Sequence, residues 1–321
     1  MTAAAGGTVL VAATNAVKAA PYVAALAAAG VPAGSIRVVT PAGAPAQAGA
    51  GAATSIGGPA ASTTAAASAV SGAPAGGAGA PTPPAAVQAP ATAVAPASRE
   101  RDVAELAAGA TGLVLCGGDD VDPGRYGEAL LPDAGVEPVP ERDALEWELL
   151  AAARARRLPV WAVCRGFQVL NVFFGGTLWQ DLPLQRPSAT AHDPGPPSDR
   201  LAHAVRLLAP QAPIGERLAA AGPAPRVNSR HHQGVKRLAA GLLAVAAAED
   251  GLIEAAVLAD GSGGAGAAGG DGWWVRGVEW HPENLLALPE QLALWHDFAA
   301  AVSGFAASRR PGGGTAAGGE A

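Results

Sequence analysis

Apolar residues fall into short runs in the first half of the chain, and helical patterns separate these runs. The runs predict strands at 8–13, 36–39, 112–116 and 159–163. Apolar residues at helical spacing predict helices at 19–29, 100–108 and 141–157. Strands that are apolar throughout are typical of parallel sheets buried on both faces. This alternation of strand and helix predicts an α/β fold with a doubly wound sheet flanked by helices.

The pattern changes after Leu182, where predicted strands follow one another with few helices between them. Apolar runs predict these strands at 203–208, 242–247, 251–258 and 273–279. An amphipathic run at 289–302 predicts a closing helix. Gly-rich sequence at 259–272 predicts a hairpin loop, and 304–321 is predicted to be a disordered tail.

One long segment carries almost no hydrophobic signal. Residues 38–98 contain no charged and no aromatic residue, and from Pro41 onward Ala, Gly, Pro, Ser and Thr dominate. Such a segment buries too little apolar surface to offset the entropy lost on ordering it. We therefore predict a disordered insertion at 41–98 within one domain that spans 1–303. The alternative is a linker between two domains, but the 40 residues before it are too few for a separate core.

Composition argues against several classes of protein. Lys plus Arg total 21 and Asp plus Glu total 27 in 321 residues, a formal charge of −6, whereas nucleic-acid-binding domains usually have a basic surface. Two cysteines are too few for a disulfide-rich secreted scaffold. The N-terminus lacks the basic run of a signal peptide, and no run of 18 strongly apolar residues predicts a membrane span. We expect a soluble cytoplasmic protein without nucleic-acid or membrane partners.

Cys164 is the first candidate catalytic residue. An apolar strand runs directly into Cys164, Arg165 and Gly166, and a helical pattern follows. A sharp strand-to-helix turn of this kind raises a nucleophile above the end of a sheet, and a small residue after it allows close packing of helix and strand. A helix N-terminus also favours the thiolate form of a cysteine. The alternative is a buried, unreactive cysteine, which is common.

A second candidate group follows the last predicted strand as His281-Pro282-Glu283. The spacing of two residues places both ionisable side chains near the end of one strand. His281 is then suited to take the thiol proton, and Glu283 to hold the imidazole in one tautomer. A surface turn is the alternative for this tripeptide taken alone, and the cysteine turn elsewhere in the chain favours the catalytic interpretation.

The third candidate group is Gly117-Gly118, which follows the strand at 112–116. Adjacent glycines let backbone N–H groups point into a site, where they can bind an oxyanion together with the N–H of Arg165. The carboxylates that follow, at positions 119, 120 and 122, lack the pattern of a calcium loop. We interpret them as a polar turn and predict no metal site.

Five motifs in a fixed order resemble one family. They read GLVLCGGDDVDPGRYGE, ERDALEWELLAAARARRLPVWAVCRGFQVLNVFFGGTLWQDLP, RVNSRHHQGVKRLAAGL, DGLIEAAV and GVEWHPE. Their order and spacing are similar to those of class I glutamine amidotransferase-like hydrolases of the gamma-glutamyl-gamma-aminobutyrate hydrolase group. The resemblance extends from about residue 100 to residue 298, and more faintly over 8–40.

The resemblance implies a flavodoxin-like sheet with a nucleophile elbow, and a triad of Cys164, His281 and Glu283. It implies cysteine-dependent hydrolysis of a small gamma-glutamyl amide to glutamate and an amine through a thioester, in the context of polyamine (putrescine) catabolism. No cofactor is expected, and a homodimer is possible for such an enzyme. Two alternatives stay open: a glutaminase component that delivers ammonia to a separate synthase, and a non-catalytic binding protein on the same scaffold.

The family also places a polar segment beside the active-site cleft. The candidate substrate-binding residues are Gln168, Asn228, Ser229, His232 and Gln233. Capping of a following helix by these polar groups is the alternative interpretation of that segment. Two adjacent histidines in this segment suggest metal ligands, but the sequence has no further ligands at the spacing of a metal-binding motif.

The chain departs from the family pattern at four positions. Cys116 stands where Ser or Thr is usual, and Ala162 replaces the usual Gly of the elbow. Asp119 replaces a third Gly, and we expect it to narrow or charge the oxyanion loop. Glu279 stands where Gln is common, and the sequence gives no reason for this charge.

Overall fold

The computed structural model describes residues 7–41, 53–56, 96–259 and 272–309. The helices are α1 (Ala16–Ala28), α2 (Pro96–Gly109), α3 (Pro140–Arg156), α4 (Arg165–Phe173), α5 (Leu182–Gln185), α6 (Pro213–Ala219) and α7 (Pro289–Ser308). The strands are β1 (Thr8–Ala12), β2 (Ile36–Pro41), β3 (Ala53–Ile56), β4 (Ala110–Leu115), β5 (Val160–Val163), β6 (Thr177–Trp179), β7 (Leu201–Leu207), β8 (Arg226–Asn228), β9 (Gly234–Arg237), β10 (Leu242–Ala248), β11 (Ile253–Leu258) and β12 (Val275–Val278).

The main sheet has a parallel half and an antiparallel half. Its order is β3-β2-β1-β4-β5-β12-β11-β10-β7-β8, and β9 joins the edge of β11 and pairs with β6. All neighbours from β3 to β12 are parallel, and the pairs from β12 to β8 are antiparallel. If β1, β2, β4, β5 and β12 are counted as strands one to five, their order is 2-1-3-4-5. This is the flavodoxin-like order, and it confirms the predicted fold class.

Both faces of the parallel half are covered by helices, so successive residues of a strand enter two different cores. Val9 and Val11 of β1 pack in the cluster that holds the inner faces of α1 and α7. Leu10, between them, packs in the opposite cluster with the inner faces of α3 and α4. The same division applies to β4 and β5, which explains why these strands are apolar at every position.

The strands and helices predicted from the apolar pattern are present, with shifts of a few residues at their ends. The sequence missed the three short strands β6, β8 and β9 and the short helices α5 and α6. These elements have three to seven residues each. A segment that short shows no clear hydrophobic period, because a period needs a longer window to appear.

Two of the segments predicted to be disordered contain described structure. Within 41–98, strand β3 pairs in parallel with β2, and α2 begins at Pro96. Helix α7 continues to Ser308, beyond the predicted start of the tail at 304. The rest of 41–98, most of the loop at 259–272 and residues 310–321 lie outside the described residues, so the predictions for them stay predictions. None of the described helices has the length and apolar character needed to cross a bilayer.

Gly166 sits where α4 passes closest to β4. A Cβ atom on Gly166 would lie 2.3 Å from the carbonyl oxygen of Leu115 and 2.7 Å from its Cβ. Neither atom can move away, because Leu115 belongs to a central strand. A side chain at this position would therefore push the helix away from the sheet.

We expect Gly166→Ala to lower the free energy of unfolding by about 1–3 kcal/mol, the usual cost of overpacking a core. The matched control is Gly304→Ala, in the exposed C-terminal part of α7, where a Cβ atom would meet nothing within 4 Å. This control should raise the free energy of unfolding by roughly 0.5–1 kcal/mol, because Ala is the better helix former. Urea denaturation measures the free energy of unfolding of both variants. Equal changes in the two would contradict a close approach of α4 to β4 at Gly166.

Candidate active site

Cys164 occupies the sharp turn between β5 and α4 that the sequence predicts. Its backbone has φ 52° and ψ −114°, a conformation with positive φ that L-residues rarely adopt. Its N–H donates to the carbonyl of Val278 at 2.8 Å, and its carbonyl accepts from Phe167 N at 2.8 Å. Such a conformation costs on the order of 1–3 kcal/mol and persists only where the surrounding structure fixes it. The strain marks Cys164 as a functional candidate.

His281 and Glu283 lie just beyond the end of β12 and form a pair. His281 Nδ1 is 2.6 Å from Glu283 Oε1, and both side chains are buried. A carboxylate accepts hydrogen bonds, so Nδ1 carries the hydrogen and Nε2 has a free lone pair. Nε2 is buried and has no hydrogen-bond partner. The imidazole is therefore held in the tautomer that a general base for a thiol requires.

Asn228 fixes the position of His281 from the other side. Its Oδ1 accepts a hydrogen bond from His281 N at 3.0 Å, and its Nδ2 donates to His281 O at 3.0 Å. One side chain thus holds both backbone groups of the histidine. Asn228 is a positioning residue in this structure, whereas the sequence predicts a substrate contact for it.

Gly117 is the point where the candidate catalytic side chains meet. A Cβ atom built on Gly117 would lie 2.9 Å from His281 Cε1 and 3.5 Å from Cys164 Cβ. The same atom would lie 2.9 Å from the hydroxyl of Tyr22. The cysteine and the histidine, which come from the ends of β5 and β12, therefore share one small space above the carboxyl ends of the parallel strands.

This space opens into a cavity of about 400 Å³. Its lining combines the candidate catalytic residues with ionisable groups of both signs. The lining residues are Val17, Lys18, Pro21, Tyr22, Gly117, Gly118, Asp119, Cys164, Arg230, His281, Glu283 and Asn284. Its position at the carboxyl ends of the parallel strands is the usual ligand site of an open α/β sheet.

The predicted oxyanion donors need one correction. The N–H of Gly117 donates to the Tyr22 hydroxyl at 2.8 Å, so it is not free for a substrate oxygen. Gly118 lines the cavity and has φ 148°, a backbone conformation that favours glycine. The N–H of Arg165 hydrogen-bonds the sulfur of Cys164. Gly118 thus remains as a candidate donor, and the N–H of Arg165 becomes one when it turns from the sulfur to the substrate oxygen.

Burial raises the pKa of the Cys164 thiol well above its ordinary value. The hydrogen bond from Arg165 N–H opposes this shift without reversing it. The sequence-based expectation of a resting thiolate is therefore wrong, because burial outweighs the helix N-terminus. Cys164 rests as a thiol and needs a base before it can attack.

Glu279 is buried beside this group, and burial together with the neighbouring Glu254 raises its pKa well above the carboxyl range. Gln168 Nε2 donates to Glu279 Oε1 at 2.6 Å. A protonated carboxyl presents one oxygen acceptor and one O–H donor, much as a Gln side chain presents an oxygen and an N–H. A neutral Glu279 can therefore take the place of the Gln that the resemblance leads us to expect at this position.

Asp119 behaves differently, since it stays charged at the edge of the cavity. Partial burial opposes its ionisation, but a hydrogen bond from Thr14 Oγ1 at 2.8 Å and the nearby Arg142 lower its pKa overall. As the sequence suggests, Asp119 charges the loop that carries Gly118.

A buried ion cluster lies beneath the elbow and the glycine loop. Arg165 pairs with both Asp143 and Glu146 of α3, and Arg142 Nε donates to Glu146 Oε1 at 2.9 Å. Arg142 also donates to the carbonyls of Cys116 and Gly117, at 2.8 and 3.1 Å. Helix α3 thus connects the turn at Cys164 to the loop after β4 through charged hydrogen bonds.

The other predicted substrate-binding residues lie outside the cavity lining. Ser229 Oγ donates to His192 O at 2.6 Å, and the Gln233 side chain contacts Gln180 O at 3.2 Å. His232 is half-exposed and lies between Asp120 and Asp181, which raise its pKa to about 9. Each of these polar side chains is used within the protein. The alternative of helix capping is wrong, because the element that follows is the strand β9.

The sequence missed several residues that do line the cavity. Tyr22 belongs to the buried face of α1, where the hydrophobic pattern explains it without any role in a site. Arg230 lies inside the polar segment 228–233, between Ser229 and His232, which the sequence predicts to bind substrate. Nothing in the sequence indicated that Lys18 lines a site, because exposed lysines on helices are common. Only the meeting of the strand ends brings these three together.

Comparison with known proteins identifies the family of this chain. The Peptidase C26 family model matches residues 84–283, which is more than half of the chain. A Schizosaccharomyces pombe protein provisionally named a glutamine amidotransferase is 35% identical over 58% of this chain and 68% of its own. A Mycobacterium tuberculosis protein of similar name is 38% identical over 60% of this chain and 56% of its own. The gamma-glutamyl-gamma-aminobutyrate hydrolase of Escherichia coli O157:H7 is 36% identical over 54% of this chain and 63% of its own.

The match covers between about half and two thirds of these relatives' lengths. A solved glutamine amidotransferase from Methylobacillus flagellatus aligns with a TM-score of 0.37 and 16% identity, over 63% of this chain and 78% of its own. A likeness at that score carries no weight in the assignment, which rests on the sequence matches. By those matches the chain belongs to the Peptidase C26 family, the class I glutamine amidotransferase-like hydrolases that act on C–N bonds.

Proposed function

We propose that the chain hydrolyses small gamma-glutamyl amides through a thioester on Cys164. The observation that carries the proposal is the meeting of Cys164 and His281 at Gly117, with His281 Nε2 unpartnered and Nδ1 held by Glu283. A strained thiol beside an oriented base is the arrangement of nucleophilic acyl transfer. The gamma-glutamyl-gamma-aminobutyrate hydrolase among the relatives supports this class of substrate.

In the first half-reaction, His281 Nε2 takes the thiol proton as the sulfur attacks the gamma-carbonyl carbon. A C–S bond forms, and the carbonyl oxygen gains the negative charge. The N–H groups of Arg165 and Gly118 stabilise this oxyanion. The protonated His281 then gives its proton to the amide nitrogen, the C–N bond breaks, and the free amine leaves.

In the second half-reaction, water replaces the amine. His281 removes a proton from the water, and the hydroxide attacks the thioester carbon. The C–S bond breaks, the sulfur recovers the proton from His281, and glutamate leaves. Glu283 keeps its hydrogen bond to Nδ1 throughout and stabilises the imidazolium without exchanging the proton.

The charges of the cavity fit the head of a gamma-glutamyl group. That head carries an ammonium and a carboxylate on one carbon. Asp119 supplies an anion for the ammonium, and Arg230 and Lys18 supply cations for the carboxylate, all on the lining of the same cavity as Cys164. Asp119 and Arg230 also have charged neighbours within the protein, since Arg142 Nη1 lies 3.9 Å from Asp119 Oδ2 and Arg230 Nη2 lies 3.7 Å from Glu283 Oε1.

The experiment that tests the function is a screen of purified protein against gamma-glutamyl compounds. It should include gamma-glutamyl-GABA, gamma-glutamyl derivatives of other amines, glutamine, and alpha-glutamyl amides as a control. We expect glutamate release from the gamma-linked compounds only, and none with Cys164→Ala. Turnover of glutamine that requires an added synthase would favour the ammonia-delivering alternative, and absence of any cysteine-dependent turnover would favour a binding protein.

Cys164, and not Cys116, is expected to react first with a thiol reagent. Both cysteines are free and buried, but only Cys164 lines the cavity. Limited treatment with iodoacetamide followed by peptide mass analysis should find the label on Cys164, with loss of turnover in proportion. Label on Cys116 with activity retained would overturn the choice of nucleophile.

Glu283→Gln should keep the fold and lower turnover, because the amide supports the wrong imidazole tautomer. In an analogous triad the equivalent change costs about 10⁴ in turnover. The effect should not add to that of Cys164→Ala, because the residues act as a unit. Steady-state kinetics with circular dichroism measures this, and near wild-type turnover in a folded variant would reduce the triad to a Cys164–His281 dyad.

Arg230→Ala should raise KM by roughly 10–100-fold, because it removes a charged hydrogen bond to the substrate carboxylate worth about 1.5–3 kcal/mol. The contact with the substrate carboxylate is the same before and in the transition state, so it acts on KM. A smaller fall in kcat should accompany it, because Arg230 Nη2 also lies 3.7 Å from Glu283 Oε1 of the proposed triad. The matched control is Arg226→Ala, an exposed arginine of β8 outside the cavity lining. Equal KM values for the two variants would remove Arg230 from the substrate site.

A further inference from the structure

Three histidines and one glutamate meet in a buried cluster in the antiparallel half of the sheet. His203 lies on β7 and Glu254 on β11, while His192 and His231 come from loops. Distances to Glu254 Oε1 are 3.4 Å from His192 Nδ1, 3.6 Å from His203 Nε2 and 3.9 Å from His231 Nε2. The sequence predicts no metal site, because these residues do not follow one another at the spacing of a metal-binding motif. The fold nevertheless brings them together.

The partners of each imidazole leave one lone pair directed at the glutamate. His231 Nδ1 lies 2.7 Å from the carbonyl of Gln233, and His203 Nδ1 lies 3.2 Å from that of Ala204. A carbonyl can only accept, so each Nδ1 carries a hydrogen, and in the neutral imidazole each Nε2 is then an unprotonated acceptor. These are the fixed tautomers that metal-binding histidines show.

His192 has the same arrangement with its two nitrogens exchanged. Its Nε2 lies 3.1 Å from Asp250 Oδ2, so this nitrogen is the donor and Nδ1 faces Glu254. Asp250 is itself held by Arg186 Nη1 at 2.9 Å and by the N–H of Leu252 at 3.0 Å. A histidine that donates to a fixed carboxylate is the usual outer arrangement of a metal ligand.

All the atoms that face the centre of the cluster are buried and unpartnered. They are His192 Nδ1, His203 Nε2, His231 Nε2, Glu254 Oε1 and Glu254 Oε2. With neutral imidazoles these five atoms are all acceptors that repel one another, and burial leaves them no solvent to bond to. A cation at their centre would satisfy all of them together.

We propose that His192, His203, His231 and Glu254 bind a divalent transition-metal ion of the zinc class. Zinc takes four ligands at about 2.0–2.2 Å in a tetrahedron, which places neighbouring ligand atoms roughly 3.4 Å apart. The separations of 3.4, 3.6 and 3.9 Å from Glu254 Oε1 are close to that value. They are too long for good hydrogen bonds between the same groups.

His192, His203 and Glu254 form the tighter part, with ligand atoms all within 4.8 Å of one another. His231 Nε2 lies farthest from the glutamate, at 3.9 Å and outside that group, and moves toward the centre to complete the four. A cavity of about 340 Å³, which His192 and His231 line, gives an entry path to the ion. With four protein ligands the site is closed, so its role is structural. It fixes the segment that carries Asn228, which in turn holds His281.

The test measures zinc per chain after the protein is reconstituted with zinc and desalted. We expect about one zinc in the wild type and in Cys164→Ala, which excludes binding by the reactive thiol. His232→Ala is the matched control, because it removes the adjacent, half-exposed histidine and should keep its zinc. Glu254→Gln and His203→Gln should lose at least tenfold in zinc affinity.

Two further measurements keep the proposal testable if a ligand variant fails to fold. Asp250→Asn lies outside the ligand set and should weaken zinc binding by about 10–100-fold, as outer partners of metal ligands do. Zinc should raise the Tm of the wild type, and a chelator should lower it, since a ligand that binds only the folded state stabilises it. Cobalt in place of zinc should give the strong visible absorption of a tetrahedral site.

Zinc below about a tenth of an equivalent in the reconstituted wild type, with unchanged Tm, would overturn the proposal. Equal zinc affinity in Glu254→Gln and wild type would overturn it as well. Either result would assign the cluster to an ion pair between a protonated histidine and Glu254.

Discussion

The site depends on one strained residue, because Cys164 must hold a positive φ for its side chain to reach the cavity. Three features keep it there. The turn is the direct continuation of β5, which lies between β4 and β12 in the middle of the sheet. Gly166 lets α4 begin against Leu115 without a collision. The hydrogen bonds of Cys164 to Val278 and Phe167 then close the turn on both sides.

The ion cluster beneath the turn ties the strained residue to α3. Arg165 follows the strained residue directly, and its guanidinium is anchored on Asp143 and Glu146. Arg142, one residue before Asp143, reaches the carbonyls of the glycine loop. Buried pairs of this kind contribute little net stability, but losing one partner costs about 3–5 kcal/mol. Their effect is to define one geometry for the elbow and the glycine loop.

The placement of His281 is the second requirement of the site. Burial keeps Cys164 a thiol, so the reactivity of the site depends on where His281 is placed. Glu283 sets its tautomer and Asn228 sets its backbone. Asn228 belongs to the same segment as His231, so the proposed metal cluster and the catalytic histidine are supported by one stretch of chain.

The sequence by itself determined the α/β class, the longer strands and helices, and the pairing of a cysteine elbow with a His-x-Glu turn. These features are local: a run of apolar residues, a helical period or two side chains two residues apart can be read without knowing what packs against them. The same reasoning found Gly166, because a strand-to-helix turn needs a small residue there.

Only the tertiary structure decided which polar residues line the cavity and which support it. Tyr22 takes the N–H of Gly117, and Asn228 holds His281, because distant segments meet at the carboxyl ends of the parallel strands. Burial also reversed the expected state of Cys164, since desolvation depends on every element packed around a group. The His–Glu cluster is the clearest case. Its members carry no spacing signal along the chain, because antiparallel pairing and loops, not sequence neighbours, bring them within 4 Å of Glu254.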